Sequence, residues 1–254
     1  MKIPEFLEDY KEDIERYRKE YIQIKTHSLE ENQVLDIKQS KFLGKPYLPK
    51  NMEYPKDQQG KPMIFLAQIN FSEVPKLESY PENGILQLYI SSDNWYDCED
   101  TKILFFENLD ETDIYDDFTF LTDDLYESSP IYEELALSFE KKDGFGGYED
   151  VRFNLDFEGM PWHEFSEALT STQKEDFHEM FSGYGNKIGG YAFFTQTDPR
   201  SYTYSNANED VLLLQIDSDE KIMFGDSGVA HIFINKKSLL EKDFTNAYFY
   251  WDCC

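Results

Sequence analysis

Hydrophobic and polar positions along the chain divide it into a helical start and a strand-rich remainder. Phe6, Tyr10, Ile14, Tyr17, Tyr21 and Ile24 follow one another at steps of 4, 4, 3, 4 and 3, which would place all six on one face of a helix. Pro4 suits the first turn of such a helix, and the remaining positions are filled by Glu, Asp, Lys and Arg. That polar face is mixed in sign rather than basic, so the helix is expected to lie on the protein's own sheet rather than on a membrane or a partner.

From residue 40 the pattern changes. SKFLGKPYLPKNMEYP reads as a proline-punctuated loop, PMIFLAQINF as a central strand buried on both faces, PENG as a turn and ILQLYI as a second strand. A second helix is predicted from Ser171, taken as its N-cap, to Phe181, with Phe177, Met180 and Phe181 forming its apolar face.

The strand pattern occurs twice. Lys41-Phe42-Leu43-Gly44 corresponds to Lys187-Ile188-Gly189-Gly190, Phe65 to Asn70 corresponds to Leu212 to Asp217, and Asn83 to Ile90 corresponds to Ser227 to Ile234. Gly44 and Gln68 are 24 residues apart, against 25 for Gly190 and Gln215; from each Gln to its turn Gly is 16 and 13. Matched elements in one order predict an internal duplication, with copies at about 40–92 and 186–236 packed about a pseudo-twofold relation in a single domain spanning 1–254. The expected fold is therefore α+β, a largely antiparallel β-sheet with the N-terminal amphipathic helix packed on it.

Charge then refines this picture. The 254 residues carry 51 Asp and Glu against 24 Lys and Arg, a formal net charge of -27, which disfavours nucleic acid as a partner. Aromatic residues make up 17% of the chain, which argues for a packed core despite the charge. No apolar run approaches the length of a membrane span, and the first residues lack the apolar stretch of a signal peptide, so no membrane partner is expected and the expected compartment is the cytoplasm. Residues 93–158 hold 21 acidic against 4 basic side chains. Their interleaved aromatics suggest short strands with acidic outer faces, an insert between the two copies. Cys98, Cys253 and Cys254 form no disulfide framework and have no partners at metal-ligand spacing, so they read as reduced thiols.

Several motifs carry possible chemistry. Gly225-Asp226-Ser227-Gly228 has the form of the string around a trypsin-like nucleophile, but Val229 stands where that family has Gly, and the repeat aligns the string with the turn Pro81-Glu82-Asn83-Gly84. A hairpin turn is the expected role. Asp217, Asp219 and Asp226 are the candidate metal ligands, although Lys221 and Ile222 occupy the positions where an EF-hand loop needs an oxygen ligand and Gly. Gln68 and Gln215 lie in the middle of the apolar strands, and period-two alternation sets Asn70 and Asp217 on their respective faces. Buried amides must be hydrogen-bonded, so these residues either pin neighbouring loops or line a ligand pocket. His27, His163, His178 and His231 show no metal spacing, and Gly144, Gly146 and Gly147 lack the Lys-Ser or Lys-Thr of a phosphate loop.

Lys41 to Pro49 with Tyr54-Pro55, PMIFLAQINF, Gly189-Gly190-Tyr191 with Gln196, LLLQIDSD, Met223 to Gly228 and the closing Trp251-Asp252-Cys253-Cys254 together resemble the YwqG-like family of bacterial proteins. Tyr54, Ala192 and Phe224 depart from that family's usual Trp, Pro and Trp. The resemblance implies an α+β fold with largely antiparallel sheet; it implies no activity, cofactor or catalytic residue, since the family resembles a domain of unknown function.

Two functions are consistent with this reading. The first is a non-enzymatic cytoplasmic interaction protein whose acidic face docks a basic protein partner, in one version an immunity-type protein that neutralises a basic toxin such as a nuclease. The second is an enzyme, or a protein binding a small ligand or cation, with a site at the junction of the copies built from Gln68, Asn70, Gln215, Asp217 and Asp226.

Overall fold

The computed structural model describes residues 3–109, 113–203 and 209–254. Ten strands form one sheet: β1 (Lys19–Ser28), β2 (Lys41–Phe42), β3 (Ile64–Asn70), β4 (Ile85–Ile90), β5 (Thr101–Phe106), β6 (Leu135–Gly144), β7 (Lys187–Gly189), β8 (Asp210–Asp217), β9 (Val229–Asn235) and β10 (Tyr248–Asp252). Their order across the sheet is β10-β9-β8-β7-β1-β6-β2-β3-β4-β5, and every neighbouring pair is antiparallel. The long β1–β6 pair, from Lys19 opposite Gly144 to Ser28 opposite Leu135, is the spine from which two four-strand wings extend. The sheet curls until its ends approach, nearly closing a barrel. Phe105 of edge strand β5 stacks on Phe244 beside β10 at 4.2 Å, and Trp251 of β10 packs on Trp95 at 5.0 Å.

The interior is filled by residues from both wings, including Ile22, Phe42, Leu66, Leu88, Leu135, Leu214 and Ile232. β3 and β4 are buried at every position, as their unbroken apolar runs require. The Gly225–Gly228 string is a turn that feeds β9, with Gly225 at φ 61° and Ser227 at φ 54°, and its first three residues are exposed.

The N-terminal helix differs from the sequence expectation in length and in what it covers. A 3-10 turn, Glu5–Tyr10, leads into helix α1 (Lys11–Arg16), and the chain is extended from Lys19 onward. Tyr21 and Ile24 therefore belong to a central strand, where Ile22 and Ile24 point to the core at the two-residue period. Steps of 3 and 4 suit a helix, but an Ile at 22 beside an Ile at 24 suits a strand, and the bonds offered by β6 and β7 on either side decide. The short helix packs not on the sheet but on a second core: Ile3, Leu7 and Ile14 meet Phe153, Leu155, Phe157, Phe177 and Phe181.

That second core is built by helices α2 (Trp162–Glu167) and α3 (Ser171–Phe181). Helix α3 spans the predicted residues and buries the predicted Phe177, Met180 and Phe181. Its N-cap is Thr170 rather than Ser171, in a reciprocal capping box with Gln173. Two short helices, α4 (Arg200–Thr203) and α5 (Lys236–Leu240), complete the fold. The acidic segment 93–158 contributes structural strands as well as surface, since β5 extends one wing and β6 forms half of the spine.

Because Ile22 is fully buried between β6 and β7, Ile22→Ala should cost about 3 kcal/mol by the cavity it leaves, while Glu20→Ala should change stability by less than about 0.5 kcal/mol, both read by urea unfolding. A helical segment with the face read from the sequence would tolerate the change at 22.

Candidate functional site

The two glutamines singled out in the sequence are buried clamps. Gln68 accepts a hydrogen bond from the Tyr47 backbone at 2.8 Å and donates through Nε2 to the Ile37 and Gln39 carbonyls, both at 2.9 Å. Gln215 repeats the arrangement: it accepts from Phe193 at 2.9 Å and donates to the Gly183 and Gly185 carbonyls at 3.1 and 2.8 Å. Counted from Lys41 and Lys187, the partners occupy the same offsets, four and two residues before and six after. Lys41 lies opposite Gln68 and Lys187 opposite Gln215 in the sheet. Each strand carries a register shift just before its Gln, at Phe65/Ala67 and at Leu212/Leu214.

Further contacts extend the match. The Asn70 backbone donates to Ser40 Oγ at 2.8 Å and the Asp217 backbone to Asn186 Oδ1 at 2.7 Å, from residues that directly precede each Lys. On the next strand, Gln87 donates to the Tyr47 carbonyl at 2.6 Å and His231 meets the Phe193 carbonyl at 2.7 Å. The chain is left-handed at Leu43 and Gly44 (φ 55° and 81°) and again at Gly189 and Gly190 (φ 76° and 73°). Only the second site needs Gly at the first position, because a Cβ on Gly189 would lie 2.7 Å from Leu77 Cδ2.

Each clamp is bonded within its own wing, so the structure does not bring Gln68, Asn70, Gln215 and Asp217 into one site. Asp217 accepts from the Gly185 and Ser218 backbone groups, Asp219 from Lys221 and Ile222, and Asp226 is exposed. Among the described residues no group of three or more His, Cys, Asp or Glu is placed to hold a metal ion.

A cleft does occur at the junction of the wings, lined by other residues. The β3–β4 connection crosses to the opposite wing, where the Tyr80 hydroxyl donates to the Leu212 carbonyl at 2.6 Å. Beside this crossing is a cleft of about 510 Å³ whose walls include Leu77, Tyr80, Gly190, Val211 and Leu239 and whose cations are Arg18, Lys19, Arg152 and Lys236. Its carboxylates are Glu20, Glu78 and Asp143. Two of these already pair, Asp143 with Arg18 and Glu20 with Lys141, both at 2.8 Å, and Glu78 is exposed. Among the described residues neither Lys19 nor Lys236 has a carboxylate within 4.0 Å.

Lys19 is half-buried, with Nζ 4.6 Å from the centre of the Tyr191 ring. Burial, reinforced by the Arg152 charge and opposed by Asp150, brings its pKa down to about 8. Arg152 is held in place by a two-pronged contact to Asp150, Nε to Oδ1 at 2.8 Å and Nη2 to Oδ2 at 2.5 Å, and by the Gly190 carbonyl. Its Nη1 makes no hydrogen bond among the described residues.

Behind Arg152 lies an ionic cluster that sequence reasoning missed. Arg200, fully buried, binds Asp198 through Nε and Nη2, approaches Asp150 at 3.0 Å and donates to the Asp210 carbonyl. Burial alone would raise the Asp150 pKa, but Arg152 and Arg200 together hold it well below the usual carboxylate range. The available signal was weak: Arg152 is one of only 4 basic residues in 93–158, and Asp150-x-Arg152 and Asp198-x-Arg200 share a spacing.

Residues 40–253 match the family described as a domain of unknown function, DUF1963. The chain belongs to this family. No curated protein matches the chain. The DUF1963 domain thus contains the Gln215 clamp, the Gln68 clamp apart from the Ile37 and Gln39 carbonyls, the ionic cluster and all of the cleft except the wall formed by Arg18, Lys19 and Glu20. No helix among the described residues is long and apolar enough to cross a membrane.

Two expectations follow from the clamps. Gln68→Ala leaves the Tyr47 N–H and two carbonyls unpaired in the interior and should cost about 3 to 5 kcal/mol by denaturant unfolding. His231 is buried, its Nε2 carries the proton because a carbonyl only accepts, and burial lowers its pKa from 6.5 to about 3. Between those values the unfolded chain holds a proton that the folded one does not. Stability should therefore fall as pH drops from about 6.5 toward 3, by about 1.4 kcal/mol per unit from this group. His231→Gln, which copies Gln87 of the other wing, keeps the donor and should flatten that part of the stability–pH curve.

Proposed function

We propose that this chain is a binding protein for a small anionic ligand, taken up in the cleft at the junction of the two wings. One observation carries the reading: in a chain of net charge -27, Lys19, Lys236 and Arg152 line one cleft, and among the described residues neither lysine has a carboxylate within 4.0 Å and Arg152 Nη1 makes no hydrogen bond. Cations held together without counter-ions repel each other, and an anion relieves that repulsion. The surrounding negative field opposes approach from a distance, so affinity must come from contacts inside the cleft rather than from steering.

The two wings are read here as an internal duplication related by a pseudo-twofold through the β1–β6 spine, supported by the matched offsets of the Gln clamps and the matched register shifts. On that reading, the junction is where a function absent from either copy alone would arise. The YwqG-like identity is likewise our assignment, supported by a family match that begins at residue 40, where the resembling motifs begin. A cytoplasmic setting is supported by three free cysteines, Cys98, Cys253 and Cys254.

A second reading, docking of a basic protein, rests on a different face. Asp116, Asp117, Asp123, Asp124 and Glu127 are exposed, take part in no ion pair among the described residues, and flank the exposed Phe120 in sequence. An aromatic anchor in a segment of uncompensated carboxylates suits a cationic protein surface, such as that of a basic toxin.

Inorganic phosphate and citrate should raise the melting temperature of the wild-type protein in a saturable way, corresponding to about 2.7 kcal/mol at a hundredfold excess over Kd. Lys19→Ala and Lys236→Ala should each weaken binding at least about tenfold, whereas Lys237→Ala, next in sequence but 81% exposed and facing Glu241, should not. Equal stabilisation of all four proteins would remove the cleft as the site.

A further inference from the structure

Reversible anion binding would be served equally well by an ordinary surface lysine, and Lys19 is not one. We propose that Lys19 captures a carbonyl-bearing anion of the 2-oxo acid class as a covalent imine. This rests on the anion-binding reading and adds a reaction to it.

The geometry puts Lys19 on the wall of an open cleft, half-buried, over the face of Tyr191, and without an acidic partner among the described residues. Desolvation and a neighbouring cation are the two conditions that make a lysine amine nucleophilic at neutral pH. Both are present. From the loop and helices packed against it, Arg152, Arg200 and Lys236 favour the neutral amine and Asp150 alone opposes them. Beside it in sequence stand Arg18 and Glu20, on the paired strand β6 Asp143, and on the β3–β4 connection Glu78, and of these carboxylates Asp143 and Glu20 are already paired. With a pKa near 8, about half of the amine is neutral at pH 8, against about three in a thousand for an ordinary lysine.

Lys187 shows why a lowered pKa alone is not enough. Burial takes it to about 7, but its Nζ donates to the Gly183 carbonyl and it does not line this cleft. Lys19 combines the shifted amine with access.

The step balances without an oxidant or reductant. The Nζ lone pair attacks the ketone carbon, the carbon–oxygen π bond opens, and a proton moves from nitrogen to oxygen to give a carbinolamine. Loss of that oxygen as water forms the carbon–nitrogen double bond, and hydrolysis reverses it. The ligand's carboxylate is left for Lys236 and Arg152 Nη1, which line the same cleft.

Pyruvate with sodium borohydride at pH 8 tests this on the full chain, because borohydride reduces an imine to a stable secondary amine. The expected result is one carboxyethyl group per chain, mapped by peptide mass spectrometry to Lys19. It should be absent from Lys19→Arg, which keeps the charge, and from Lys19→Met, and retained in Lys237→Arg, with melting temperatures recorded to show that each variant folds. No adduct, labelling spread over surface lysines, or labelling unchanged in a folded Lys19 variant would overturn the proposal. Phosphate separates the two layers: saturable stabilisation by phosphate without trapping of pyruvate refutes the imine and leaves anion binding standing, and loss of both refutes both.

Discussion

An amide side chain in the middle of an apolar strand must find all its hydrogen bonds inside the protein, and in doing so it dictates where the neighbouring chain runs. Gln68 and Gln215 each fix three backbone groups, two on the approach to a short strand and one on its exit. Between those fixed points the chain makes a strand of two or three residues and turns through consecutive left-handed residues. Those short strands, β2 and β7, are what join each wing to the β1–β6 spine. Loss of the amide would release the loop, the short strand and the attachment of the wing together, so the clamp matters more than a net hydrogen-bond energy of about 1 kcal/mol suggests.

Charge is distributed by a different rule. Carboxylates dominate the surface, where solvent screens them, while in the acidic segment Lys141, Lys142 and Arg152 each pair with a carboxylate. Arg152 and Arg200 share Asp150, and a buried arrangement of this type is tolerated only because nearly every polar atom has a partner. Lys19 is set against the edge of this cluster. Its environment is the consequence of fixing Arg152 firmly enough that it cannot turn away.

Much of the strand framework was legible before the structure. PMIFLAQINF and ILQLYI read as strands because their apolar runs are too short and too β-branched for helices, and Gln68 and Gln215 stood out because amides rarely interrupt such runs. Residues 17–24 were misread because Tyr17, Tyr21 and Ile24 satisfy a helical period while Ile22 and Ile24 satisfy a strand period, and only long-range pairing separates the two. Ser171 was taken for the cap because Thr170 and Ser171 are both good caps; the reciprocal bond of Gln173 selects Thr170. The cleft was invisible for a topological reason. Lys19, Arg152 and Lys236 are far apart in sequence, and no local pattern records that β1, the loop after β6 and α5 converge.

The two kinds of polar site also differ in how completely they are satisfied, and that difference separates structure from function. At the Gln clamps, every donor and acceptor on the amide is paired and the same solution occurs in both wings, which is what folding alone requires. At the cleft, among the described residues, Arg152 Nη1 makes no hydrogen bond and two lysines stand without counter-ions, and burial lowers the pKa of Lys19. Lys19 gains its contact with the Tyr191 ring, but that contact leaves the repulsion among the cations uncompensated. A local arrangement that leaves like charges together, where the β3–β4 connection of the first wing crosses onto the second, is better explained by what enters the cleft than by what surrounds it.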